Sequence, residues 1–170
     1  MFNDHAKIIQ AISTAGEISG RKKLQKMIYI AKKISFPFHE KFHFHFYGPY
    51  SEELTLRVEE LCNLGYLNES NEKKNGYYQY CYTLTPSGED FLKHYEMQEH
   101  PALKPCLLDM NEQNSRFLEL VSTVLYFYEL TKEEVSEKIQ TLKSKQKYTV
   151  EEIEEAYQYI AKLQEKAKLQ

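Results

Sequence analysis

Residues 61 to 92 constrain the fold most, because a helix end, a strand, a polar stretch, a second strand and a new helix start follow one another there without a gap. Gly65 can take the left-handed conformation that stops a helix at Leu64, so Tyr66 and Leu67 begin a strand whose partner resumes at Tyr77. Asn68 to Gly76 then form the loop between them. Tyr78, Tyr80, Tyr82 and Leu84 fall on one face of the second strand and Tyr77, Gln79, Cys81 and Thr83 on the other, the period of a half-buried antiparallel strand. Thr85 can cap the next helix, with Pro86 at the first helical position, where a missing N–H is no loss. A hairpin set between two helices in this way reads as the wing of a winged helix, a fold that serves DNA readers and protein-docking modules alike.

Upstream, Asn3 or Asp4 can cap a first helix bearing Ile8, Ile9 and Ile12 and ending near Gly16. Ser19 is expected to cap a second, GRKKLQKMIYIAKKI, in which Leu24, Met27, Ile28, Ala31 and Ile34 make the apolar stripe and Lys22, Lys26, Tyr29 and Lys33 line the opposite side. Phe42, Phe44 and Phe46 alternate with His43, His45 and Tyr47 as a strand with one core face would. Gly48-Pro49 forces a turn. Ser51 then opens a third helix through Leu64, with Leu54, Val58, Leu61 and Leu64 inward, in the position of a recognition helix.

Past the wing, a fourth helix runs from Pro86 to about Met97, and residues 98–106, with Pro101 and Pro105, read as a linker. Asn111 to Leu130 reads as one helix, apolar on most of its circumference, which needs cover on more than one side. Phe117, Val121, Val124, Leu125 and Tyr128 are therefore expected to pack on a second copy, giving a homodimer. Thr131 with Glu134 and Thr149 with Glu152 are capping boxes opening two further helices. The expected architecture is α+β and helix-dominated: a winged helix-turn-helix domain at 1–97 and a C-terminal helical extension at 107–170 that serves dimerisation.

The net charge of -3 argues against binding nucleic acid by bulk charge, but the distribution is uneven. Residues 1–48 carry eight Lys/Arg against three Asp/Glu, and residues 49–110 five against eleven. Phosphate contacts are therefore expected from Arg21, Lys22, Lys23, Lys26 and Lys33, from Arg57 on the third helix and from Lys73 and Lys74 near the wing tip. Opposing this, the third helix carries Glu52, Glu53, Glu59 and Glu60, which repel phosphates. Cys62, Cys81 and Cys106 form no CxxC pattern and read as small hydrophobes. His43 and His45 share a strand face without further ligands at metal spacing, so no metal is expected. There is no GxSxG, P-loop or GxGxxG, and no cofactor or catalytic residue is expected. MFNDHAKIIQ lacks the features of a signal peptide, and the apolar stretch at 117–128 is too short to span a bilayer, so a cytoplasmic protein without membrane partners is expected.

The run GRKKLQKMIYIAKK...FHFHFYGPYSEEL, followed by LxxLGYL and YxLTPSGEDFL, resembles the YwgA-like family of small bacterial proteins over the full length. That resemblance implies a winged-helix regulator of transcription with a helical extension and no established catalytic residues. A more distant likeness joins KLQKMIYIA and the YGPY turn to the Panacea domain of SocA-type antitoxins, over about the first third of the chain. The expected function is a non-enzymatic regulator binding duplex DNA; the alternative is an adaptor that docks a protein partner and binds no DNA directly.

Overall fold

The computed structural model describes residues 2–74 and 76–168. Helix α1 (Asn3–Ala15) follows Phe2 without a side-chain cap, so Asn3 and Asp4 lie inside its first turn, where Asp4 complements the helix dipole. Ser19 is not a cap either. It belongs to strand β1 (Ile18–Ser19), paired with Cys81, and Gly20 stands at the N-cap of α2 (Arg21–Lys33).

The Phe/His alternation yields a shorter strand than its pattern suggests. Strand β2 (His43–His45) pairs with β3 (Gly48–Tyr50) as a two-stranded ribbon, and Phe46, expected to face the core, sits in its turn at 72% exposure. Helix α3 (Glu52–Asn63) opens on Ser51, whose hydroxyl accepts from the Leu54 N–H at 3.1 Å.

Strand β4 (Leu67–Lys74) occupies most of the stretch expected to be a loop, pairing residue for residue with β5 (Tyr77–Leu84) from Leu67 opposite Leu84 to Lys74 opposite Tyr77. Of that expected loop, Asn75 lies outside the described residues. β4 shows no apolar alternation because it is an edge strand that β5 holds through backbone bonds. The three-stranded sheet has the order β1-β5-β4. Along β5, burial does not alternate with the face: Cys81 and Tyr82, opposite β1, are both buried, while Tyr77 and Tyr78 near the tip are both exposed.

Thr85 caps α4 (Pro86–His94), accepting from the Gly88 N–H at 3.0 Å and donating to the Gly65 carbonyl at 2.5 Å. Gly88 lies so close to the Tyr66 backbone that a Cβ there would come within 2.1 Å of the Tyr66 oxygen. That approach allows Tyr66, Phe91 and Tyr95 to stack at 4.9 and 5.3 Å between centroids. The LGYL and LTPSGEDFL motifs thus lock a helix onto the base of the hairpin.

Residues 103–106, read as the end of a linker, are the first turn of α5 (Leu103–Glu112), and Cys106 is fully buried. The helix expected from Asn111 to Leu130 is broken: Asn114 caps a new helix, α6 (Ser115–Tyr126), accepting from the Phe117 N–H at 2.8 Å. Both capping boxes are present, at the starts of α7 (Lys132–Leu142) and α8 (Val150–Ala167).

Helix α6 is covered by its own chain. It lies against α2, β3 and α8, and Val121, Val124 and Leu125 are buried there. Phe117 meets Tyr159 edge-on at 5.2 Å, and Tyr128 stacks on Tyr157 at 5.9 Å. Of the five residues expected to pack on a second copy, Val121, Val124 and Leu125 are thus buried within the chain, Phe117 is partly buried and Tyr128 stays exposed. One continuous core runs from Ile8 to Leu163, so the α+β, helix-dominated chain shares a single apolar interior between its two halves. Among the described residues no helix is long and apolar enough to cross a membrane.

Candidate functional site

Helix α2 is the axis of this site. Amphipathic spacing leaves its Lys22, Lys26, Tyr29 and Lys33 face to solvent, but α6 and the β2–β3 ribbon cover the middle of that face. Every residue from Leu24 to Ala31 is buried as a result, Gln25 and Lys26 among them. Lys26 is only 1% exposed, and its Nζ donates to the Pro49 carbonyl at 2.7 Å. Burial pushes its pKa down to about 8, against the pull of Glu119 and with the help of Lys143 and Lys22.

The other cations expected to meet phosphates divide sharply. Arg57 is drawn back among Glu40, Asp4 and Glu53, with Glu40 itself almost fully buried. Lys74 pairs with Glu17 at 2.6 Å, and the half-buried Lys23 donates to the Asn111 carbonyl at 2.6 Å. Arg21 lies 3.7 Å from the centre of the Tyr80 ring and 3.5 Å from Glu69, with most of its side chain still exposed. Lys22, Lys33 and Lys73 are exposed. The eight cations do not form one basic face.

The ribbon turns at Phe46-Tyr47, so Gly48-Pro49, expected to force the turn, instead opens β3, and this stretch is held from two sides. Lys143 at the end of α7, 2% exposed, donates to the Phe46 carbonyl at 2.7 Å as Lys26 does to Pro49. Gly48, at φ +88°, is pressed so tightly to α6 that a Cβ would lie 3.3 Å from the Thr123 hydroxyl. Buried Glu119 stands 3.9 Å from Lys143 and accepts from the Tyr148 hydroxyl at 3.2 Å. Three ammonium groups, Lys22, Lys26 and Lys143, thus act on one another around a single carboxylate.

A cavity of about 250 Å³ opens beside this cluster, between α2, α3, the ribbon and the sheet. Leu24, Leu54 and Val58 give it apolar walls, Tyr47, Tyr50 and Tyr82 aromatic ones, and Lys22, Lys26, Arg21, Glu59 and Glu69 its charges. Several of its polar groups satisfy one another. Gln25 exchanges two hydrogen bonds with the Ser51 backbone at 2.9 Å each, Tyr50 bonds Thr55 at 2.7 Å, and Tyr82 donates to Glu69 at 2.6 Å. Lys22 stands over the Tyr47 ring at 4.2 Å.

Sequence reasoning missed Glu119, Lys143, Gln25 and Tyr47 as parts of one site. The available signal was Glu119, Ser122 and Thr123 interrupting an otherwise apolar helix, which marks a polar contact inside the core. His43 and His45 are exposed. The one group of metal-capable side chains among the described residues, Glu17, Glu72 and Cys81, has Glu17 engaged by Lys74.

No family model matches the chain. It is 60% identical over 165 residues to a Bacillus subtilis (strain 168) protein named "Uncharacterized protein YwgA", covering 97% of this chain and 99% of that one. With that identity sustained across nearly the whole of both chains, the protein belongs to the YwgA family.

Proposed function

We propose that this chain is a non-enzymatic regulatory protein whose first 97 residues form a winged helix used to dock a protein partner, and not to read duplex DNA. The order helix, strand, helix, helix, hairpin, with the short β2–β3 ribbon inserted between the second and third helices and the first strand beside the hairpin's second, supports the winged-helix reading. One observation carries the choice of partner. On α3, where base-reading side chains would stand, Glu52, Glu59 and Glu60 are exposed beside Leu56, itself 57% exposed, while Arg57 is turned inward to Glu40. An acidic helix with an open leucine repels a phosphate backbone and suits a protein surface with basic and apolar groups.

The test is titration of random-sequence duplex DNA at low salt and at about 0.15 M. No binding is expected at the higher salt. Submicromolar binding there, lost in a Lys22→Glu, Lys73→Glu double variant, would overturn the docking reading in favour of a DNA-associated regulator. On the docking side, a partner crosslinked in cells through a photoreactive residue at position 56 should be lost when Glu59 and Glu60 are both changed to Lys.

A further inference from the structure

The cavity between α2, α3, the β2–β3 ribbon and the sheet is built for a ligand of a definite kind. Its walls include the aliphatic Leu24, Leu54 and Val58 and the rings of Tyr47, Tyr50 and Tyr82, a lining that suits an apolar ring. Its polar lining is uneven: Gln25, Tyr50, Thr55, Tyr82 and Glu69 are engaged with one another, whereas Lys22 touches only the face of Tyr47, and Lys26 gives one N–H to Pro49. Behind this lining lies an imbalance of charge. Lys26 and Lys143, both almost fully buried, are attracted by the carboxylate of Glu119, which lies 3.9 Å from Lys143, and exposed Lys22 is near enough to repel both. A buried cluster with more cations than anions is costly alone and is relieved by an anion entering beside it.

We propose that this cavity binds a small aromatic anion, a single planar ring carrying a carboxylate or phosphate, with the ring among Leu54, Val58, Tyr47 and Tyr82 and the anionic group directed to Lys22 and Lys26. A volume of about 250 Å³ suits a ligand of a single ring better than a drug-sized one. Glu59, exposed on the opposing wall, repels the anionic group from that side and so orients it toward α2. A ligand seated there touches α2, α3 and the β2–β3 ribbon at once. It would therefore stiffen the junction between α3 and the rest of the molecule.

Phenyl phosphate and benzoate serve as minimal probes, with benzamide as the neutral isostere and inorganic phosphate as the anion without a ring. For ligands of this size, dissociation constants of about 0.1–1 mM are expected, and at about 10 mM they should raise the melting temperature by about 3 °C or more. Lys22→Gln, an exposed substitution that leaves the core intact, should weaken phenyl phosphate by about fivefold or more, and Tyr47→Ala should weaken both aromatic probes. If benzamide or inorganic phosphate stabilises as much as phenyl phosphate, or if neither aromatic anion stabilises the unaltered protein, the proposal is overturned. It is equally overturned if stabilisation is unchanged in both variants. The docking reading of α3 is untouched by each of these outcomes, since it is read from partner and DNA binding alone.

Discussion

Lys26 concentrates the conflict between helix spacing and tertiary packing. Its ammonium is desolvated, with a pKa of about 8 against an ordinary 10.5, so between those values the unfolded chain binds the proton more tightly than the folded one. Stability accordingly rises with pH from about 8 upward, and the penalty is fully present below that. Lys23 and Lys143, also depressed by burial, act in the same direction. Above pH 10.0 the sign reverses, because Tyr29, Tyr82, Tyr148 and Tyr159 are raised by burial and hold their protons longer when folded. Urea midpoints measured from pH 7 to 11 should show this maximum, and Lys26→Met should flatten its lower limb. A rising limb that is unchanged in the variant would remove Lys26 as its cause. Gly48→Ala belongs to the same scale: a side chain at φ +88° costs about 1–2 kcal/mol, and here it also crowds Thr123.

Among elements, the hairpin and α4 form one unit through Thr85, Gly88 and the Tyr66–Phe91–Tyr95 stack. Gly88→Ala drives a methyl into the Tyr66 carbonyl and should destabilise the protein by about 3 kcal/mol or more, whereas Ser87→Ala on the same turn should cost under about 0.5 kcal/mol. Equal denaturation midpoints for the two variants would show that α4 docks some other way. The junction of α5 with α8 depends on Asp109, which accepts from Tyr159 at 2.7 Å and Lys166 at 2.5 Å. Burial pushes its carboxyl up, but the hydrogen bonds from Lys166, Tyr159 and Lys162 outweigh this and bring the pKa down to about 2. Its stabilisation is present above the ordinary 3.8 and is lost as pH falls toward 2. In acid titrations Asp109→Asn should therefore start from lower stability at neutral pH and lose less between pH 4 and 2.

Across the whole molecule, α6 decides the assembly. Because α2, β3 and α8 cover Val121, Val124 and Leu125, sedimentation at tens of micromolar should give a monomer near 20.2 kDa. A dimer that resists dilution would require some surface other than those three residues. The same coverage makes the C-terminal helices part of the fold. Ile160→Ala, opening a cavity in α8 against the shared core, should cost about 2–5 kcal/mol and melt both halves in a single transition. Two separate transitions would instead mean that residues 2–97 form an independent core.

The features legible in the chain alone are those set by local physics. The caps at Ser51, Thr85, Thr131 and Thr149, the proline opening α4 and the strand starts at Leu67 and Tyr77 depend on neighbours a few residues away or on backbone periodicity. What only the tertiary structure decided is which polar groups lose their water. Lys26 and Gln25 occupy positions indistinguishable by spacing from solvated ones, and they are buried because the β2–β3 ribbon, the start of α3 and the distant α6 all pack onto α2. Helical periodicity reports an apolar face that needs a partner. It carries no information on whether a second partner arrives on the other side.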